Sequence, residues 1–134
     1  MINVICGPVG SGKTDKIVGN ANNSLLSCDG NIVFLTDNSS ISRNVKPQIR
    51  FINVKEFIKY NEDSFLGLLA GILASNADVK KIYIDGLARI LNLKADNMED
   101  LLSKIEILAD KMGVEVFMTI TASKTPSFMK KYIV

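Results

Sequence analysis

Apolar positions along the chain fall into two spacings, and the changes between them mark the elements. "INVIC" (Ile2–Cys6) is short, β-branched and closed by Gly-Pro, which predicts a buried strand. After a glycine-rich turn, Ile17, Val18, Ala21 and Leu25 recur on one face of a helix that starts at Gly12 or Lys13. That helix carries Gly19 and three Asn, and it should fray before the turn signal "CDGN" at Cys28–Asn31. "IVFLT" (Ile32–Thr36) reads as a second buried strand, ended by the polar run "DNSSISRN". "RFINV" (Arg50–Val54) reads as a third, introduced by Pro47.

From Lys55 the period is helical. "KEFIKY" predicts one or two turns. "DSFLGLLAGILAS" follows with Asp63 or Ser64 as N-cap, and Phe65, Leu66, Leu68, Leu69, Ile72 and Leu73 make it apolar nearly all round. "KKIYIDG" (Lys80–Gly86) is a strand, apolar until its final acid. In "DNMEDLLSKIEILADKMG", Asp96 reads as the cap with Glu99 in capping-box register. Met98, Leu101, Leu102, Ile105, Leu108, Ala109 and Met112 line one face, and Gly113 stops the helix. "VEVFMTITAS" (Val114–Ser123) is the last long strand, and "FMKKYIV" after Pro126 predicts a short edge strand. Strands alternating with helices imply an α/β layer fold around a mostly parallel sheet.

The length of 134 residues suits one domain over 1–134. A net charge of +2, with basic residues scattered apart from the pairs Lys80–Lys81 and Lys130–Lys131, marks no clear nucleic-acid site. The absence of His and the spacing of Cys6 and Cys28 argue against a transition-metal site, and Cys6 reads as a buried free thiol suited to a reducing compartment. "MINVICGP" is unlike a signal peptide, and the longest apolar stretch, Phe65–Ala74, is about half of what a bilayer requires. The expectation is a soluble, cytoplasmic protein with no membrane contact.

Candidate chemistry concentrates in Gly7-Pro8-Val9-Gly10-Ser11-Gly12-Lys13-Thr14, which satisfies G-x-x-x-x-G-K-[ST] at every fixed position. Such a loop wraps phosphate oxygens with successive backbone N–H groups, and glycine permits the close approach and dihedrals this needs. The following helix points its positive end at the anion. Lys13 would bridge the β- and γ-phosphates, and Thr14 would offer its hydroxyl to Mg²⁺. A cradle for Mg²⁺-nucleotide also needs a carboxylate at the end of a neighbouring strand, and Asp85 of "KKIYIDG" fits. The plainer alternative for Asp85 is a strand-ending acid that opens a turn with Gly86. ATP with Mg²⁺ is the expected ligand.

With these residues in view, the chain resembles the P-loop nucleoside triphosphatases, and within them the RecA/DnaB/KaiC-like branch. "GPVGSGKT" is its Walker A motif, "IVFLTDNSS" resembles its second strand, "IYIDGLARIL" its Walker B strand, and "VEVFMTITAS" the strand that ends in a polar sensor. The resemblance implies a three-layer α/β/α fold with a mostly parallel five-stranded sheet. It places "VFMTIT" between "INVIC" and "IYID", so that Thr119 or Thr121 faces the γ-phosphate; β-propensity alone would also account for these threonines. The N-K-x-D element of guanine-specific relatives is missing, which favours ATP over GTP.

Departures from the family pattern bear on activity. The catalytic Glu expected after the second strand is replaced by Asn38, with Asp37 one residue earlier, and Gly86 follows Asp85 where other branches carry a Glu. Asn orients water but cannot take its proton. A slow or partner-dependent ATPase is therefore expected, with a cation donated in trans by Arg89, Lys124 or the Lys130–Lys131 pair, from another copy or an unknown protein partner. Two alternatives stay open. A thymidine-kinase-like phosphotransferase shares a similar cradle, but this chain has "DGLAR" where that family has D-E-x-Q-F. A non-catalytic nucleotide-binding module fits the missing base.

Overall fold

The computed structural model describes residues 1–56 and 58–134. Its elements run β1 (Ile2–Gly7), α1 (Lys13–Ser24), β2 (Asn31–Thr36), β3 (Arg50–Asn53), α2 (Glu62–Ser75), β4 (Val79–Asp85), α3 (Leu87–Leu91), α4 (Glu99–Met112) and β5 (Glu115–Thr121). All five strands are parallel, in the order β1-β5-β4-β2-β3. β5 is thus inserted between the strand that feeds the glycine-rich loop and the strand that ends in Asp85, as the resemblance implied.

Parallel strands covered on both faces must be apolar throughout, and strand alternation sorts their side chains into two cores. Val33, Leu35, Ile82, Ile84, Val116 and Met118 face α2 and α4. Ile32, Phe34, Tyr83 and Phe117 face α1, which contributes Ile17, Val18 and Ala21. On this second face, Phe51, Phe34, Tyr83 and Phe117 stack ring on ring across four adjacent strands, with centroids 6.1, 6.2 and 4.8 Å apart. Tyr83 donates its hydroxyl to Asn20 of α1 at 2.8 Å, and burial raises its phenol above the ordinary value.

Several local expectations are corrected. Helix α2 begins at Glu62, three residues before its apolar pattern opens at Phe65, because Asn61 accepts from the Ser64 N–H while Ser64 accepts from the Asn61 N–H, each at 2.9 Å. This reciprocal pair caps the helix in place of Asp63 or Ser64. Asp96 does not cap α4. It lies in a single 3-10 turn, Ala95–Asn97, and the helix starts after Met98, whose fully buried side chain anchors the entry. Met112 is 43% exposed at the last position of α4, next to the Gly113 cap, rather than on its core face. "FMKKYIV" forms a 3-10 helix over Ser127–Tyr132, because burying Met129 and Tyr132 needs a spacing of three. Only Ile133 and Val134 reach the edge of β1, where the Val134 N–H donates to the Val4 carbonyl at 3.1 Å. Over 55–60, a 3-10 turn at Val54–Glu56 is followed by non-helical Ile58–Tyr60, and Phe57 lies outside the described residues. Cys6 is half-buried and free. Among the described residues, no helix is long and apolar enough to cross a membrane.

Helix α2 buries Phe65, Leu69 and Leu73, while Gly67, Ala70, Gly71 and Ala74 face solvent. A Cβ at Gly71 meets open space. Gly71→Ala should therefore stabilise the fold by about 0.5–1 kcal/mol, through helix propensity alone. Urea denaturation measures this, and a loss of stability would show that something packs on that face.

Candidate functional site

The glycine-rich loop leaves β1 at Gly7 and enters α1 at Lys13. Gly10 (φ 80°) and Gly12 (φ 82°) adopt left-handed conformations that any side chain would strain. Gly7 is required for space instead, since a Cβ there would lie 2.8 Å from the Ser11 hydroxyl. The Pro8 carbonyl closes the loop by accepting from the Ser11 hydroxyl (2.7 Å), the Lys13 ammonium (2.8 Å) and the Ser11 N–H (3.3 Å). Pro8, Val9, Gly10, Ser11 and Gly12 are exposed, and Val9 is 87% so. No side chain caps α1, so the amides of its first turn are left for solvent or an anion.

Asp85 ends β4 beside this loop, with its side chain 1% exposed. It is on the α1 face, one strand step beyond Tyr83. Its Oδ1 accepts from the Thr119 hydroxyl at 2.8 Å and from the Thr14 hydroxyl at 3.2 Å; Thr14 lies 3.4 Å from Oδ2. The Thr119 hydroxyl accepts in turn from the Gly86 N–H at 2.8 Å, so it fixes both the acid and the turn after it. The structure thus brings Thr14, Asp85 and Thr119 together from three elements far apart in sequence.

Arg89 of α3 folds back toward the same acid. Its Nη2 lies 3.6 Å from Asp85 Oδ2 and donates to Asp37 at 3.0 Å, while its Nε lies 3.3 Å from both Asp37 oxygens. Hydrogen bonding to Asp37 is the main reason that the guanidinium is held above its ordinary pKa, and Asp85 adds to it. The sequence offered Arg89 as a cation for another molecule; the structure engages it within its own chain. Asp37 therefore reaches the cluster through Arg89. Asn38 caps the 3-10 helix Ser39–Asn44 instead, accepting at Oδ1 from the Ser40 hydroxyl (2.7 Å) and N–H (3.1 Å).

Thr121 pairs with Gly7 across the β1–β5 ladder, and the Ala122 N–H donates to the Gly7 carbonyl at 3.0 Å. It lines a cleft of about 650 Å³ with Lys94, Lys124, Lys130 and Ser123, and Asp85 is not among the lining residues. A second cleft of about 770 Å³ is bounded by Asp37, Arg89, Lys55, Tyr60 and Leu91. Thr119 and Thr121 share one face two residues apart, so only the strand register tells which meets the acid. The Arg89 contact did have a sequence signal, an opposite charge four residues after Asp85 across a glycine.

Among the described residues, no group of three or more Cys, Asp or Glu side chains is placed to hold a metal by itself. The Thr14–Asp85 pair is a hydroxyl and a carboxylate, a hard-oxygen set that suits Mg²⁺ when phosphates and water complete the shell.

No family model matches the sequence, and no curated protein matches it. Among solved structures, the chain is similar to a KaiC-like protein from the hyperthermophilic archaeon Pyrococcus horikoshii OT3. The TM-score is 0.71 at 17% sequence identity, over 98% of this chain and 68% of that one. The likeness establishes the fold: this chain has a RecA-like, three-layer α/β architecture with a parallel five-stranded sheet.

Thr119→Val keeps the β-branched shape but leaves the Gly86 N–H unpaired and removes the shortest donor to Asp85. The expected cost is about 1–3 kcal/mol in chemical denaturation. An unchanged stability would mean that Thr119 does not carry the turn.

Proposed function

We propose that residues 1–134 form a nucleotide-binding domain that holds ATP with Mg²⁺ in the Gly7–Thr14 loop, and hydrolyses it slowly or only with a partner. The observation that supports this most is the 3.2 Å approach of Thr14 to Asp85, which sets a hydroxyl and a buried carboxylate at one edge of a glycine-rich phosphate loop. Backbone amides of the loop and of the first turn of α1 would take the phosphate oxygens. Lys13 would exchange the Pro8 carbonyl for the β- and γ-phosphates. Thr14 and Asp85 would hold the metal, and Thr119 positions Asp85. Bound there, Mg²⁺ would offset the negative charge of the β- and γ-phosphates.

Hydrolysis adds water to the γ-phosphorus, releases ADP and requires a proton acceptor. Of the residues expected to serve, Asp37 is paired with Arg89 and Asn38 has no basic oxygen, its amide being committed to Ser40. Loss of a general base costs about 10²–10⁴ in rate. A residue from another copy or a protein partner could restore part of it, with Lys124 and Lys130–Lys131 exposed near the carboxyl end of β5 as this chain's own donors. The same engagement of Asp37 and Asn38 favours the second reading, a nucleotide-holding module without turnover, over a phosphotransferase. Phosphate release with ATP alone separates an ATPase from the module, and release only with an added nucleoside identifies a kinase.

Nucleotide binding itself is tested by melting. At 100 times its Kd, ATP with Mg²⁺ should stabilise the protein by about 2.7 kcal/mol. Lys13→Ala should weaken ATP about 10–100-fold, the value of a charge-assisted contact. An unchanged melting shift in Lys13→Ala would remove the nucleotide reading.

Asp85→Asn should weaken ATP in Mg²⁺ more than ATP in EDTA, as read by isothermal titration calorimetry. Equal losses with and without the metal would show that Asp85 plays no part in holding it.

A further inference from the structure

Arg89 is placed by more than its own flexibility. It follows Asp85 by one helical turn, and the residue between strand and helix, Gly86, is at φ +88°. A Cβ at Gly86 would lie 2.1 Å from Arg89 Nη2 and 2.5 Å from its Cζ. With glycine at this position the guanidinium lies back over the turn. There Nη2 is shared between two acids, at 3.0 Å from Asp37, just past the end of β2, and 3.6 Å from Asp85, the last residue of β4.

The two oxygens of Asp85 are used unequally. Oδ1 carries the shorter contacts, from Thr119 and Thr14, whereas Oδ2 meets only Thr14 at 3.4 Å and the guanidinium at 3.6 Å. Oδ2 is the freer oxygen, so a divalent cation beside Thr14 approaches the side of Asp85 that Arg89 also faces. A guanidinium and a dication on one oxygen repel each other, screened by water on the half-exposed Arg89 side and not on the side of the buried Asp85.

We propose that Arg89 is a positioning residue and an internal counter-cation of the metal position. It competes with the divalent ion for Asp85 Oδ2, and Asp37 is the anchor onto which it withdraws when the ion binds. This rests on the reading that Thr14 and Asp85 accept a divalent cation. Metal affinity is then set by the balance of Arg89 between its two acids. Asp37 strengthens metal binding without touching the metal, by drawing Arg89 away.

The test is Mn²⁺ binding to the full chain in saturating ADP, followed by the electron paramagnetic resonance of free Mn²⁺, with circular dichroism to confirm folding. Arg89→Met should tighten Mn²⁺ about tenfold, within the usual range of coupling between sites. Lys55→Met removes a cation from the same cleft wall without contact to either acid, and should change the affinity less than about twofold. Asp37→Asn should weaken Mn²⁺ in the native background and do so much less when combined with Arg89→Met, which is the signature of an effect transmitted through Arg89. Should Arg89→Met not fold, Arg89→Gln removes the charge while keeping a polar side chain, and should still tighten binding.

An Arg89 variant that binds Mn²⁺ equally or more weakly, while Asp85→Asn abolishes binding, overturns the inference and leaves the metal reading standing. If Mn²⁺ fails to bind the native chain, or Asp85→Asn binds it as the native chain does, both fall together.

Discussion

A carboxylate at 1% exposure has lost the water that would stabilise its charge, so donors from the protein or a ligand must replace it. Asp85 obtains them from Thr14 at the start of α1, Thr119 on β5 and Arg89 on α3. These contacts join the loop side of the sheet to its middle. They depend on the insertion of β5 between β1 and β4, which sets Thr119 beside Asp85 and Thr121 alongside Gly7.

The layers of the sheet lead up to this point. One cross-strand row on the α1 face is Phe51, Phe34, Tyr83 and Phe117, a dry aromatic ladder. One step toward the carboxyl ends, the same strands place Asn53, Thr36, Asp85 and Thr119. On that face the sheet therefore changes from apolar to polar over two residues. Stacked rings below fix the strands against sliding, and a slip of one residue would carry Asp85 to the opposite face. Rigid packing under the polar row is what makes contacts of 2.8–3.2 Å there possible.

Legibility followed the range of the interactions. The loop from Gly7 to Thr14 could be read because its spacing is local and each glycine answers to a nearby steric demand. Asp85 could be singled out because a glycine-rich phosphate loop implies a carboxylate at the end of a neighbouring strand, and "KKIYIDG" supplies one. The strand order came from the resemblance and not from the spacing of apolar residues, since periodicity shows that a strand is buried but not which strand lies beside it. The caps of α2 and α4 were misread for opposite reasons. Asn61 and Ser64 form a reciprocal pair that precedes the apolar pattern, whereas Asp96 had the right chemistry but was outweighed by the burial of Met98. The meeting of Asp37 with Arg89 across 52 positions left no mark in the sequence, because an acid in a polar run and a base in a short helix are each ordinary surface residues.

On the proposed reading, metal and base work against each other at the end of β2. A divalent ion at Asp85 would push the guanidinium toward Asp37, and so occupy more fully the carboxylate that shares Arg89 with Asp85. Freeing Asp37 for proton transfer would return Arg89 to Asp85 and weaken the metal. Asn38 offers no way round this, because its amide oxygen already closes the 3-10 turn at Ser40 and carries no basicity to spare. On that reading the arrangement would favour keeping a metal-bound nucleotide over cleaving it. Release of that constraint has to come from outside the cluster, through a group that either takes Arg89 from both acids or brings its own base to the phosphate.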